Sequence, residues 1–561
     1  MLNKTQPNWW RQAVAYQVYP KSFQDTTGSG TGDLQGIIRR LDYLAELGID
    51  VIWLSPVFAS PQVDNGYDIS DYRAIDPIYG SLDDMDELIA EGKKRGIGIM
   101  LDLVLNHSSD QHPWFLAARS SRDNPYHDYY VWRDGEPGTP PNGMKASFGG
   151  SAWEWVPEVG QYYFHQFAPQ QPDLNWENPD LREEIYKMVN WWLDKGLAGF
   201  RIDSIINIKK VLPFRDFPAD RSDGLCSIST MNYHAKGIGE FLGEMAERCF
   251  KPHHAFTAGE VFYVNDEDLP EFIGDNGYFS SMFDFNETVC NASDKGWYDQ
   301  KPITPEQYKA CCFESQKKVA SFGGFLSNII ENHDEPRGVS RYIPKGECTL
   351  RGKKMLGDLN FLLRGLPFIY QGQELGMENL AVNSIDEVDD ISARDEYQVA
   401  LDAGLTEQQA LDAVNMFSRD NARTPYQWDG TANAGFTTGK PWLHVNPNYK
   451  EINLAAQRND PDSVYNFYRS LIQLRKTPEL EDAIIYGDTV PYRVEQKNLM
   501  AYLRKGEKNT VLVMGNFQPE AQSVPLPGAV KKILLNNCDN AAIVDGTVTL
   551  EGYQLLVLWM E

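Results

Sequence analysis

Four short segments carry residues able to do chemistry together: Asn106-His107, Arg201-Ile202-Asp203, Gly259-Glu260 and Asn332-His333-Asp334, each following a short apolar run. A lone Asp at a strand end is ordinarily a helix cap or an ion-pair partner. Burying three acids together is costly unless each finds a partner, a proton or water. One carboxylate kept ionised beside one carboxylic acid kept protonated is the inventory of glycoside hydrolysis. Asp203 suits the nucleophile, because Arg201 lies two residues earlier on the same face of a strand and a guanidinium lowers a neighbouring carboxylate's pKa. Glu260 suits the acid/base, since repulsion from Asp203 and Asp334 raises its pKa. Asp334 is the third acid, placed to grip substrate hydroxyls and stabilise an oxocarbenium-like state. Spacing alone does not distinguish retention from inversion, which depends on carboxylate separation.

Such residues need a scaffold that brings distant segments to one mouth. Apolar β-rich runs alternate with helical patterns: Ala13–Tyr19 and Val51–Ser55 read as strands, Gly36–Leu47 as the helix between them. Ser81 caps the next helix with Asp84 three residues on, Gly96 ends it, and Ile97–Leu105 is the third strand. The alternation breaks over 106–174, a stretch rich in Trp, Tyr, Pro and Gly that is too long for a βα loop. It resumes with helix Leu181–Lys195 and strands Gly199–Ile205, Ala255–Val261, Phe279–Phe285, Ser327–Glu331 and Pro367–Tyr370. Eight βα units imply a closed barrel with reactive residues at the C-terminal strand ends. The predicted fold is therefore α/β: a (β/α)8 TIM barrel with an inserted domain after the third strand and a C-terminal antiparallel β-sandwich. Residues 1–105 and 175–482 form the barrel, 106–174 the insertion and 483–561 the β domain. The acidic run Asp386, Glu387, Asp389, Asp390, Asp395 and Glu396 would ordinarily be a solvated face, but after the eighth strand it is placed to act as a lid. Thr406 and Gln409 form a capping box for a further helix.

Composition narrows the partners. The net charge of −27 argues against nucleic acid and anionic membranes, and favours a small neutral substrate. No signal-like or membrane-spanning apolar stretch is present. The seven cysteines are scattered without a C-x-x-C pair, which fits reduced thiols in a cytoplasmic protein. A monomer is the default expectation.

Asp102-Leu103-Val104-Leu105-Asn106-His107, Gly199-Phe200-Arg201-Ile202-Asp203, Ala258-Gly259-Glu260 and Glu331-Asn332-His333-Asp334 resemble the ordered motifs of the α-amylase family, glycoside hydrolase family 13. Gln171-Pro172-Asp173-Leu174-Asn175 is similar to the signature of its oligo-1,6-glucosidase subfamily. The resemblance implies a retaining mechanism with Asp203 as nucleophile, Glu260 as acid/base and Asp334 as transition-state stabiliser, needing no cofactor for chemistry. It implies that His107 and His333 hold hydroxyls of the glucose being cleaved. Asp64-Asn65-Gly66-Tyr67-Asp68 and Arg419-Asp420-Asn421-Ala422-Arg423 look like the segments that close the glucose pocket there. Asp64 and Arg423 are then expected to pair and bind the far hydroxyls, with Tyr67 stacked on the ring and Phe148 and Phe167 lining the pocket. The structural alternative for Asn65-Gly66 is a turn alone. A blind pocket implies exo action on short α-glucosides such as isomaltose, maltose or sucrose.

The chain departs from the family pattern in two places. Many relatives carry a cation-binding loop after the first strand. Here Asp25, Thr27 and Asp33 would be the ligands of a structural calcium ion, but Thr27 and Ser29 stand where stronger oxygen ligands are usual, so weak or absent binding is expected. Ser204 follows the nucleophile, where valine is typical of α-1,6-selective relatives. Linkage preference therefore stays open between α-1,6, α-1,4 and sucrose-type bonds. Trehalose-6-phosphate hydrolases and sucrose isomerases or glucosyltransferases share the scaffold and remain alternatives. The loop at 25–33 and Tyr16–Lys21 look much like the former, whereas the segments Asp284–Val289 and Val261-Phe262-Tyr263 differ from them. A non-catalytic glucosidase-like binding protein is the remote alternative, since such relatives lack the acids kept here.

Overall fold

The computed structural model describes residues 2–4, 6–220, 224–228, 230, 235–262, 264–274 and 276–561. Eight parallel strands close into a barrel in chain order: β1 (Ala15–Val18), β2 (Val51–Leu54), β3 (Gly98–Val104), β4 (Gly199–Asp203), β5 (Phe256–Gly259), β6 (Ser281–Phe283), β7 (Leu326–Asn328) and β8 (Leu366–Tyr370). Closure is made by Ala15 of β1 pairing with Phe368 of β8. Every residue of these strands is buried, which is why they read as continuous apolar runs rather than alternating ones.

Capping sets the surrounding helices. Asp33 caps α1 (Leu34–Leu47), its carboxylate accepting from Gly36 N. Ser81 and Asp84 form the reciprocal box that starts α2 (Leu82–Lys94). The β5 to β7 strands are shorter than expected, β6 most of all, and the C-terminal end recedes furthest at β7. It stops at Asn328, so Glu331 to Asp334 lie in a turn beyond the strand rather than at its end. Asp203 is the last residue of β4 and Glu260 the first after β5.

Between β3 and β4, residues Trp132–Asp134, Gln161–Phe164 and Trp153–Val156 form an antiparallel sheet. The insertion draws on a second segment as well. Cys226–Ser227, after β4, pairs in parallel with Met144–Lys145, and Phe214 and Ile228 fill a core with Trp153 and Phe164. At the C-terminus a five-stranded and a three-stranded antiparallel sheet enclose Leu499, Leu512, Val524, Val548 and Leu556. This sandwich docks on the barrel through Tyr502 Oη donating to Leu359 O at 2.8 Å. No helix among the described residues is long and apolar enough to cross a membrane.

Gly199, which opens β4, has φ +155°, and a Cβ there would lie 1.6 Å from Phe256 O. Gly199→Ala is expected to cost roughly 3 kcal/mol or more, read as a lower urea midpoint. Gly430→Ala, with no atom in reach of a Cβ, should stay within about 0.5 kcal/mol of the parent.

Candidate active site

The centre of the barrel mouth is one guanidinium. Arg201 Nη1 donates to Asp203 Oδ1 at 2.6 Å and to Asp102 Oδ1 at 2.9 Å, while Nη2 meets Glu260 Oε1 at 2.7 Å. Asp102 also accepts from Trp53 Nε1 and Tyr67 Oη. It projects from β3 beside β4, directly opposite Arg201 in register. Ser204, in the left-handed region at φ 39°, turns the chain so that its N–H donates to Glu260 Oε2 at 2.8 Å. Asp203 and Glu260 thus share one cation, and Glu260 gains a second donor from the residue after Asp203.

Burial raises the Glu260 carboxyl to about 7, with Asp203 and Asp334 adding to it against the pull of Arg201. That agrees with an acid held protonated near neutrality. Asp203 behaves differently from the expectation that Arg201 keeps it low. Burial is the larger effect, Asp102 adds to it, and Asp203 rises to about 7 despite the guanidinium. One positive charge is divided among three carboxylates and cannot fully compensate the loss of water. Asp334 goes the other way: although burial opposes ionisation, His333, Arg419 and Arg423 hold it well below the usual carboxylate range. Its side chain is also 31% exposed, against 9% and 10% for Asp203 and Glu260, so it presents the open face of the trio.

The pocket wall corrects one expectation. Asp64 does not pair with Arg423. Its partners are Arg419 Nη2 at 3.4 Å and Gln171 Nε2 at 3.2 Å, whereas Arg423 binds Asp334 Oδ1 at 2.9 Å and His333 O at 2.9 Å. Arg419 is the bridge: it reaches Asp390 at 2.8 Å, Asp64 and Asp334, and its guanidinium lies over Phe148. Sequence reading missed Arg419, Asp102, Gln171 and Asp390 as site residues, although all lie in or beside quoted motifs. The signal was their unusual demand for partners, which spacing does not reveal. Asn65 and Gly66 do make a left-handed turn, and that turn presents Asp64 and Tyr67. Asp68 accepts from Val63 N and Asp64 N, holding the loop shut.

Tyr67 stacks on His333, and its hydroxyl also hydrogen-bonds the His333 ring. His333 Nε2 lies 3.0 Å from Asp334 Oδ2, and Gln17 Nε2 lies 2.8 Å from His333 Nδ1. His107 is 3.0 Å from Tyr67 O and packs on Phe167, which in turn meets Phe148. Burial depresses His107 to about 4, so it is neutral in the site. The acidic run is not a solvated face throughout: Asp390 is fully buried on Arg419, and Asp389 accepts from Asn65 Nδ2 at 3.0 Å. Next to Ser204 a cavity of about 380 Å³ is lined by Lys145, Phe167, Asn207, Phe262, Asp395 and Glu396.

The loop at 25–33 was the candidate metal site. Asp25 accepts from Thr27 N, Gly28 N, Gly30 N and Thr437 Oγ1, and Asp33 from Thr26 N and Gly36 N. Both carboxylates face N–H and O–H protons, and Asp33 is a helix cap, so this arrangement does not fit a cation. Among the described residues no group of three or more His, Cys, Asp or Glu side chains could hold a metal ion.

A barrel whose mouth gathers an Arg-bridged pair of carboxyls and a third, strongly ionised one is a glycosidase scaffold. The alpha-amylase catalytic-domain family matches residues 17–486, and the C-terminal domain of the alpha-amylase SusG matches 499–557. The chain belongs to the α-amylase family and is a glycoside hydrolase. It is 41% identical to the oligo-1,6-glucosidase of Parageobacillus thermoglucosidasius over 95% of both chains. It is 39% identical to the trehalose-6-phosphate hydrolase of Bacillus subtilis over 99% of both. Among solved structures, a trehalulose synthase mutant bound to Tris superposes with a TM-score of 0.93 at 41% identity, covering 99% of this chain and 100% of that one.

Arg419 neutralises three carboxylates at once, so Arg419→Ala should cost about 3–5 kcal/mol of stability, measured by urea unfolding. A loss below about 1 kcal/mol would contradict the bridging role.

Proposed function

We propose that the protein is a retaining, exo-acting α-glucosidase that removes terminal α-glucose from short neutral oligosaccharides, with α-1,6 and α-1,4 bonds both within reach. The observation that carries this reading is the Arg201 fork, which holds Asp203 and Glu260 on its two terminal nitrogens. Two carboxyls on one guanidinium stand close together, in keeping with the separation of about 5–5.5 Å that double displacement uses. Asp203 attacks the anomeric carbon as Glu260 gives its proton to the glycosidic oxygen, and the leaving sugar departs as an alcohol. Glu260, now a carboxylate, takes a proton from water, which attacks the glucosyl ester and frees Asp203. Asp334 stays ionised through both steps and faces the positive charge that develops on the ring.

The closed far wall supports exo action. Asp64, Arg419 and Asp390 are bonded across it, and the Asn65–Asp389 contact seals its rim. Arg423 Nη1 is a buried donor with no protein partner among the described residues, suited to a sugar hydroxyl. His107, His333, Phe148 and Phe167 complete the substrate-binding set. On the leaving-group side, Lys145 stands with Asp395 and Glu396 among the described lining residues, which favours a neutral sugar over a phosphorylated one. The free thiols fit a cytoplasmic setting.

Asp203→Asn should lower kcat on the order of 10⁴-fold. Glu260→Gln should lose ~10²–10⁴-fold on natural disaccharides but far less on a dinitrophenyl glucoside, whose leaving group needs no proton. A uniform loss on both substrates would reassign Glu260. Because Asp203 must be ionised and Glu260 protonated while both sit near 7, kcat/KM should peak close to neutrality and fall on both sides. Replacing Arg201 by Met removes the only effect lowering both groups, so the acidic limb should move to higher pH. An unmoved limb would separate Arg201 from the titration. Chromatography of products from isomaltose, maltose, sucrose, trehalose and trehalose 6-phosphate tests the substrate. Exclusive turnover of the phosphorylated sugar, or isomerised sucrose as the main product, would overturn the proposal.

A further inference from the structure

The segment after β8 is fastened by consecutive residues from farther along the chain. Arg419 grips the Asp390 side chain, giving Nε to Oδ1 at 2.8 Å and its own backbone N–H to Oδ2 at 3.0 Å. Asp420 takes the backbone of the same stretch: its Oδ2 accepts from Asp389 N at 2.7 Å and from Asp390 N at 3.2 Å. Asn421 Oδ1 accepts from Leu380 N at 3.0 Å, earlier in the same segment. The other oxygen of Asp420, Oδ1, is buried with no partner among the described residues, so the two N–H groups are what this carboxylate holds. A charged acceptor on two successive N–H groups fixes two peptide planes at once.

That orientation reaches the glucose pocket along two routes. Asp389 Oδ2 accepts from Asn65 Nδ2 at 3.0 Å, and Asn65 Oδ1 accepts from Lys21 Nζ at 2.6 Å. The turn that presents Asp64 and Tyr67 is thus held from both sides. Asp390 carries Arg419, which meets Asp64 and Asp334, and also caps the helix Ile391–Asp402 through Ser392 N at 3.0 Å. A loop cap with no bearing on the site would hold residues that end in solvent. Both residues held here end on the pocket wall.

We propose that Asp420 is a positioning residue for substrate binding: by clasping the Asp389 and Asp390 N–H groups it keeps the far wall of the pocket closed on the terminal glucose. On the exo-acting reading above, Asp420 touches no sugar and acts through Asp389 on Asn65 and through Asp390 on Arg419. Losing the clasp frees the wall to move while Asp203, Glu260 and Arg201 stay in place on their strands. The loss therefore falls on binding rather than on the chemical step.

The test compares the full chain with Asp420→Ala and Asp420→Asn in three measurements: kinetics on p-nitrophenyl α-glucoside, the Kd for glucose by titration calorimetry, and amide hydrogen exchange over 385–392. Asp420→Ala should raise KM and the glucose Kd together, roughly tenfold, with kcat within about twofold of the parent. It should also speed exchange in that peptide. Asp420→Asn keeps an oxygen for both N–H groups and should restore all three towards the parent. A purely structural loss lowers the active fraction, and with it kcat, at unchanged KM and Kd; that result would overturn the proposal. So would unchanged exchange in Asp420→Ala, or an equal rise of KM in Asp420→Asn. Calorimetry and exchange need no turnover, so a parent inactive on every glucoside would overturn the glucosidase reading while the clasp is still decided by those two measurements.

Discussion

A single guanidinium at the barrel mouth organises the rest of the molecule. Arg201 is almost wholly buried and holds Asp102, Asp203 and Glu260 at hydrogen-bond distance. A buried cation among three acids is tolerable only where each partner is fixed in place. The barrel meets that requirement by placing Asp102 and Arg201 in register on adjacent strands and Glu260 at the end of the next one. Charge balance then decides protonation. One cation does not satisfy three carboxylates that have lost water, so protons are retained near neutrality on Asp203 and Glu260.

Around this centre a second charge network performs a different task. Arg419 and Arg423 share Asp334, and Arg419 continues to Asp64 and Asp390. The two arginines keep Asp334 ionised, while the side chains they tie together come from the loop after β2, the turn after β7 and the segment after β8. Of the acidic residues after β8, Asp390 is drawn inward by Arg419. Inserted domain, the segment after β8 and the barrel therefore converge through charge pairing as much as through apolar packing, with Phe148 beneath Arg419 as the point where both meet.

In the loop at 25–33 both aspartates hold backbone groups. Asp25 and Asp33 remain, yet their oxygens are filled by backbone N–H groups and threonine hydroxyls, and Asp33 starts a helix. Carboxylates that cap backbone groups stabilise a turn without an ion. The same residue type in the same place serves either purpose, and the donors around it decide which.

Much of the molecule was legible in the sequence because its signals are local. Strand and helix periodicity, the Ser81–Asp84 and Thr406–Gln409 boxes, and the order of the four motifs depend on neighbours a few residues away. They were sufficient for the barrel, the insertion and the acid trio. What tertiary structure decided are matters of distance between remote segments: that Arg419 rather than Arg423 meets Asp64, that Asp334 lies beyond β7 in a turn, and that Cys226–Ser227 completes the insertion. The balance of burial against one shared cation at Asp203 belongs there too. Loss of water and pairing of charge are set by everything that surrounds a group in space, and no spacing along the chain records that.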